Sequence, residues 1–103
     1  MVDRVTYGSS FNAEVWLYGG QASWFFVTVP SIISQEIDDH HGHEKRGWGS
    51  LPVQVKIGTT IWKTSIFPTK EKGAYLLPLK KEVRKLEGIV QGSKVKVNLK
   101  ILN

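Results

Sequence analysis

The sequence contains no cysteine, so disulfide bonds and thiolate chemistry are excluded. It also lacks an apolar run near the roughly 20 residues that a membrane-spanning helix needs. Its first residues lack the basic and apolar segments of a signal peptide. The 103 residues suffice for one domain with a core of its own. These observations predict a cytoplasmic protein that makes no contact with a membrane.

Acidic residues are scarce in the last third of the chain. Residues 1–67 contain five Lys or Arg and six Asp or Glu, whereas residues 68–103 contain nine and three. Such an asymmetry is typical of a protein that meets phosphates or an acidic surface, but lysines also occupy the solvent side of ordinary amphipathic elements. The charge alone leaves both interpretations open.

Two similar segments divide the chain into halves. Residues 27–30 and 75–78 are each an apolar strand that ends in proline, and the two prolines are 48 positions apart. Each proline precedes a short amphipathic segment, which leads through a Gly-Ser pair, at residues 49–50 or 92–93, into an alternating strand. This internal repeat predicts a pseudo-twofold arrangement in which the two halves complete one barrel.

Alternation of apolar and polar residues with a period of two predicts strands at residues 11–18, 53–57 and 95–101. Runs rich in apolar, β-branched or aromatic residues predict three more, at residues 24–29, 60–67 and 74–77. The strand at 24–29 is nearly all apolar, which is typical of a strand covered on both faces. Closure is favoured because it leaves no free edge. The predicted fold is mainly β, a six-stranded double-split β-barrel with two short helices, formed by residues 9–102 after a frayed stretch at 1–8.

A proline opens each predicted helix, since proline fits the first helical turn. The first helix has Ile33 and Ile37 on one side, and the polar, glycine-rich residues 38–50 that follow predict an exposed loop. The second ends at Gly88, and its apolar stripe is formed by Leu79, Val83 and Leu86. The loop of the first half is longer than its counterpart, and an extra loop on a compact scaffold is a frequent place for function.

The sharpest candidate for a binding site is the segment 45–50, Lys-Arg-Gly-Trp-Gly-Ser. Arg46 offers a planar fork of donors for a carboxylate or phosphate, the glycines let backbone amides approach a ligand, and Trp48 offers a stacking face. A second polar loop is predicted at residues 68–73. We predict that an anionic group is recognised by side chains from the segment 45–50 and from the region of this second loop, namely Arg46, Trp48, Ser50, Ser65, Lys70 and Lys72. The alternative is that Trp48 is a hydrophobic plug over one end of the barrel.

Metal binding and catalysis have little support in the sequence. His40, His41 and His43 lie among three carboxylates, but the spacing matches no closed metal site, so neither a metal nor a cofactor is predicted. The chain has no nucleophile elbow, no P-loop and no dinucleotide fingerprint. Glu14 is the only acidic residue in a strand flanked by aromatic residues, and a single carboxylate is not a mechanism. We therefore expect a protein that is not an enzyme.

Two further surfaces leave alternatives open. The second helix has a basic face formed by Lys80, Lys81, Arg84 and Lys85. This face indicates either nucleic-acid binding or an ordinary solvent-exposed helix surface. The first hairpin carries aromatic residues beside the core-facing set, namely Trp16, Tyr18, Trp24 and Phe26. Cross-strand aromatic residues stack and stabilise a hairpin. We expect them to be covered by a helix or by the N-terminal segment. The alternative is that they are uncovered and form an apolar patch of the kind that marks a partner site.

Two protein families resemble this sequence. The second half, residues 77–97, resembles the swapped-hairpin barrel of bacterial transition-state regulators and antitoxin DNA-binding domains, in which two chains each supply half of the barrel. A closer resemblance covers residues 11–102, and it is carried by FNAE at 11–14, WFFVTVP at 24–30, RGWGS at 46–50, the alternating strand at 53–57, TSIFP at 64–68 and GAYLLP at 73–78. On these motifs the chain is similar to the domain-of-unknown-function family nineteen-hundred-and-five, often found beside a bacteriocin-protection (YdeI/OmpD-associated) segment. The resemblance implies a double-split barrel and implies no activity.

Because one chain carries both halves, we expect a monomer. The expected function is that of a small binding or interaction module for an anionic ligand or a protein partner. The alternative is a nucleic-acid-binding regulator related to the swapped-hairpin proteins.

Overall fold

The computed structural model describes residues 8–19, 24–70 and 73–102, and within them the chain is mainly β with two α-helices. The elements in chain order are β1 (Gly8–Glu14), β2 (Trp16–Tyr18), β3 (Trp24–Val29), α1 (Ser31–His41), β4 (Leu51–Ile57), β5 (Thr60–Pro68), β6 (Tyr75–Pro78), α2 (Lys81–Glu87) and β7 (Lys94–Ile101). Gly8 already belongs to β1, and the rest of the predicted frayed stretch lies outside the described residues.

The strands form a curled antiparallel sheet with the order β1-β7-β4-β5-β6-β3-β2. Period-two alternation places one side of each strand in a shared hydrophobic core. The strands β4 and β7 contribute Val53, Val55, Ile57, Val97 and Leu99 to this core. Ile37 of α1 and Val83 of α2 are buried in the same core. Removal of these apolar side chains from water is the main driving force for the fold.

The described residues form seven strands where the sequence predicted six, because the first predicted strand is interrupted at Val15. The Val15 amide donates to Ser93 O (2.8 Å), and Val15 O accepts from Gly92 N (2.8 Å). Residues before Val15 pair with β7 and residues after it pair with β3. The two end strands of the sheet are thus separated along the chain by one buried residue.

The strand pairings follow the internal repeat. Thr28 of β3 lies opposite Leu76 of β6, and these positions are 48 residues apart like the two prolines. The strands that follow the two helices, β4 and β7, also pair with each other. In the other half, β5 takes the place of both β1 and β2. The pairing of β1 with β7 therefore corresponds to the pairing of β5 with β4, and the pairing of β2 with β3 corresponds to the pairing of β5 with β6.

Helix α1 is longer than the sequence indicated, because residues 38–41, predicted as loop, are helical. Hydrogen bonds to the sheet explain the extension. Ser34 Oγ donates to Val29 O (3.2 Å) and accepts from Tyr75 N (3.1 Å). One turn later, Asp38 Oδ1 accepts from the Tyr75 hydroxyl (2.6 Å). A polar sequence continues the helix here because a buried partner on β6 holds it.

Helix α2 is shorter than predicted, because Pro78 ends β6 instead of opening the helix. The next residue, Leu79, still donates its amide to Phe25 O (2.8 Å). The apolar stripe is narrower too, since Leu86 is 72% exposed. Gly88 ends the helix as predicted, with φ 64° in the left-handed region that glycine adopts without strain. Neither α1 nor α2 is long and apolar enough to cross a membrane.

Candidate functional site

The segment 45–50, which we call the tryptophan loop, is a tight loop between α1 and β4. The Arg46 amide donates to Ser50 O (2.8 Å), the Gly49 amide to Arg46 O (2.9 Å) and the Ser50 amide to Gly47 O (3.1 Å). These bonds hold Arg46 and Ser50 together at the base of the loop. The three amides therefore stabilise the loop, and the predicted contribution of the Gly49 amide to a ligand site is not supported.

Trp48 projects from the tip of the tryptophan loop into solvent. Its residue surface is 92% exposed, and its backbone lies in the left-handed region with φ 63° and ψ 17°. A bulky residue in this region is uncommon, and such strain costs on the order of 1–3 kcal/mol. The hypothesis that Trp48 plugs one end of the barrel is wrong, because a plug would be buried.

The tryptophan loop meets the end of β5. A Cβ added to Gly49 would lie 3.0 Å from Pro68 Cγ, so the loop backbone rests against that proline ring. The tryptophan loop therefore contacts Pro68, the last residue of β5. Gly49 has φ 73°, and both the left-handed backbone and the close proline favour glycine at this position.

The other predicted site residues are less closely associated. Ser65 is half-buried on β5 opposite Pro52, and Lys70 is exposed beyond the end of β5. Within the described part of the chain, no hydrogen bond or ion pair joins Arg46, Ser65 and Lys70. Lys72 lies outside the described residues.

Lys45 anchors the start of the tryptophan loop to the core. Its Nζ lies 3.2 Å from Asp38 Oδ1 and 5.5 Å from the centroid of the Tyr75 ring. Burial of Tyr75, reinforced by its hydrogen bond to Asp38 and by the negative charge of Asp38, raises the pKa of the phenol well above its ordinary value. Tyr75 therefore stays neutral and donates to Asp38, which makes this cluster a support for the loop.

The histidines of the predicted loop are bound to carboxylates and backbone. His41 Nδ1 lies 2.9 Å and His43 Nε2 3.4 Å from the two carboxylate oxygens of Glu44, and His40 Nδ1 lies 2.9 Å from Glu36 O. Over residues 8–19, 24–70 and 73–102, no three side chains of His, Asp or Glu are placed to hold a metal ion.

A pocket of about 240 Å³ lies between α1 and the sheet and was missed from the sequence. Its lining combines polar and apolar residues, namely Gly8, Ser9, Glu36, Ile37, His40, His41, Leu99 and Ile101. The prediction of a loop from residue 38 onward hid it. Recognition that Glu36 and His40 are i and i+4 on one helix would have placed both side chains on the same face.

The aromatic residues of β2 and β3 form an exposed surface. Together with Leu76 they line a hollow of about 290 Å³. We call this surface the aromatic face, and it consists of Trp16, Tyr18, Trp24, Phe26 and Leu76. Tyr18 is 57% and Trp24 52% exposed, so the expectation that these residues are covered is wrong. Because Val27 and Val29 fill the core side of β3, the alternate side chains point outward. The strand is therefore covered on one face, not on two.

A second hollow of about 290 Å³ adjoins the aromatic face and shares Trp24 with it. We call it the arginine hollow. It also includes Phe25, Lys80 and Arg84. The Arg84 guanidinium carbon lies 4.0 Å from the centroid of the Phe25 ring, and Arg84 Nε donates to Leu79 O (3.0 Å). These two contacts fix the plane of the guanidinium group.

The outward side of β4, β5 and β7 is basic. Register places its exposed cations on one face, which we call the lysine face and which consists of Lys56, Lys63, Lys94, Lys96 and Lys100. Gln54 and Asn98 lie between them in a shallow groove of about 370 Å³. On the neighbouring strand β1, Glu14 is exposed opposite Lys94.

Comparison with protein families defines the class of this chain. A family model described as "Domain of unknown function (DUF1905)" matches residues 11–99. The match spans most of the 103 residues, so the chain belongs to this family, as the resemblance predicted. A comparison with curated proteins found no match.

Proposed function

We propose that this protein is a small non-catalytic binding module and that the tryptophan loop contacts an anionic group of its ligand or partner. The observation that carries the proposal is Trp48, whose side chain is almost fully exposed on a strained backbone. Strain of this kind clusters at functional positions, and an exposed aromatic side chain beside an arginine is suited to a partner that carries a negative charge. Arg46 and Trp48 line none of the four hollows described above, so contact with an external surface is favoured over enclosure of a small molecule.

Arg46 is expected to contribute more to anion binding than Lys80 or Lys81. Titration with inorganic phosphate, followed by amide NMR shifts at low and at moderate salt, should give shifts centred on residues 45–50 that persist as salt is raised. Arg46→Ala should weaken binding about tenfold, the effect of losing a charge-assisted hydrogen bond. Lys81→Ala should have a smaller effect, because a single exposed charge on an open helix face is strongly screened.

A matched variant separates the role of Trp48 in binding from its role in folding. Trp48→Gly removes the side chain and relieves the left-handed strain, so the melting temperature should be unchanged or higher, while binding of phenyl phosphate, whose ring can stack on the indole, weakens. Unchanged phosphate shifts in Arg46→Ala, together with unchanged phenyl phosphate shifts in Trp48→Gly, would remove the tryptophan loop from the proposal.

The lysine face favours a second candidate function, that of a nucleic-acid-binding regulator. It presents five cations and two amide side chains on one side of the sheet, an arrangement that suits contacts to a phosphate backbone. In the same NMR experiment with a DNA duplex, shifts at Lys56, Lys63 and residues 94–100 that vanish as salt rises would replace the first candidate with the second.

We further propose that the curled sheet is a closed pseudo-twofold double-split barrel of one chain, and that the protein is a monomer. The proposal is supported by the continuity of β1 and β2, which are the two ends of the sheet order and are joined through Val15. A closed sheet has no edge strand to pair with another chain. Sedimentation at micromolar concentration should give the mass of one chain, and a tight dimer with exchanged strands would contradict the proposal.

A further inference from the structure

We propose that the aromatic face and the arginine hollow together form a binding site for single-stranded nucleic acid, with bases stacked on the aromatic side chains and phosphates held by Arg84 and Lys80. The inference takes up Lys80 and Arg84 from the basic face of the second helix, and it shares only its ligand class with the candidate function of the lysine face. Its residues lie outside both the tryptophan loop and the lysine face, and it therefore stands or falls independently of them.

The aromatic rings lie side by side on one surface. The Trp16 and Phe26 ring centroids are 5.1 Å apart with planes tilted by 34°, and those of Trp24 and Phe26 are 6.0 Å apart with planes within 23°. Trp16 Nε1 donates to Thr28 Oγ1 (3.0 Å), which fixes that indole. Trp24 and Tyr18 occupy paired positions across the hairpin and are each more than half exposed. Adjacent rings, of which Tyr18 and Trp24 are exposed and Trp16 and Phe26 half-buried, form the kind of platform on which unpaired bases stack, whatever their sequence.

Arg84 is positioned for a phosphate at the border of this platform. Its Nε is bonded to Leu79 O and its guanidinium group lies over Phe25. Neither Nη atom has a hydrogen-bond partner among the described residues. The outer edge of the guanidinium fork is thus free for the two-point contact that arginine makes with phosphate. Lys80 lines the same hollow, and the shared residue Trp24 joins the cations to the aromatic rings.

Charge decides between the ligands that an aromatic surface can take. A proline-rich peptide also binds aromatic grooves, but it does not explain two cations beside Trp24. The two acidic residues of α2, Glu82 and Glu87, line neither hollow. The Glu87 carboxylate instead accepts a hydrogen bond from Thr60 Oγ1. A duplex offers phosphates but hides its base faces, which leaves the rings of Trp24 and Tyr18 without a partner. Single-stranded nucleic acid is the ligand that uses both features.

The test measures binding of a fluorescein-labelled oligothymidylate, about 12 nucleotides long to fit one small barrel, by fluorescence anisotropy with the full chain. We expect binding that weakens with salt, together with quenching of tryptophan fluorescence. Trp24→Leu should weaken binding about tenfold, whereas Trp24→Phe should retain most of it because a phenyl ring still stacks. Arg84→Gln should weaken binding and reduce its dependence on salt. Leu86→Ala, which alters an exposed apolar residue of the same helix, should change neither.

Three outcomes would overturn the inference. The first is that the protein binds a duplex of the same length as tightly as the oligonucleotide. The second is that Trp24→Leu and wild-type protein bind the oligonucleotide equally well. The third is that only Trp48→Gly loses binding, which would assign the oligonucleotide to the tryptophan loop. Preferential binding of a proline-rich peptide over the oligonucleotide would assign the aromatic face to a protein partner. Tyr18→Ser keeps the test decisive if Trp24→Leu fails to fold, as judged by amide NMR spectra.

Discussion

Leu77→Asp is expected to unfold the protein at room temperature. Leu77 lies on β6 and is fully buried, as is Val97 on β7, for which Val97→Asp should have the same result. Each substitution removes buried apolar surface and introduces a carboxylate that has no partner in the core. An uncompensated buried charge costs about 3–5 kcal/mol and lost burial adds roughly 1.5–3 kcal/mol. The sum is comparable to the total stability of a domain, about 5–15 kcal/mol.

Lys96→Asp is the matched control for Val97→Asp. Lys96 is adjacent on β7 but exposed, opposite Asn12 of β1. Surface changes of this kind usually alter stability by less than about 0.5 kcal/mol. Thermal melts followed by circular dichroism, read as the difference between the two variants, test the strand register directly. Similar losses in both would mean that the register of β7 is displaced by one residue.

Ser34→Ala is expected to have the second largest effect, a loss of about 1–3 kcal/mol, because it leaves a buried donor and a buried acceptor without their partner. Ser34 is 2% exposed and its hydroxyl bridges Val29 O and Tyr75 N. For a domain of this size, 1 kcal/mol corresponds to roughly 4–8 °C in melting temperature. Hydrogen exchange supplies a local readout, because protection of the Tyr75 amide should fall more than that of other buried amides.

Ser31→Ala is the control on the same helix. Ser31 is exposed at the start of α1, where it forms no capping hydrogen bond. Alanine is the better helix former, so the change should be neutral or slightly stabilising. An equal loss from Ser31→Ala and Ser34→Ala would show that helix propensity, and not the bridge to β6, sets the stability of α1.

Residue types identified much of the candidate surface, but they did not show which of its side chains are exposed and which are covered. The exposed position of Arg46 and Trp48 agreed with a binding loop, and the sequence could name Trp16 and Trp24 as aromatic residues beside the core. Sequence reasoning expected the hairpin to be covered and left open whether Trp48 was a plug. Alternation shows that a strand has two faces, but it does not show which of two apolar faces another element covers.

The β-rich class, the two-part repeat and the inward residues of β4 and β7 follow from the amino-acid pattern alone. A strand with one apolar and one polar face has a single register that buries the apolar side, and Val53, Val55 and Val97 could face only inward. Three features arise from tertiary contacts, namely the continuation of α1 through Asp38, the interruption of the first strand at Val15 and the contact of the tryptophan loop with Pro68. These features depend on hydrogen bonds and contacts between residues distant in the chain, such as Asp38 with Tyr75 and Val15 with Ser93. Local pattern carries no information about such partners, because their proximity exists only after the chain has folded.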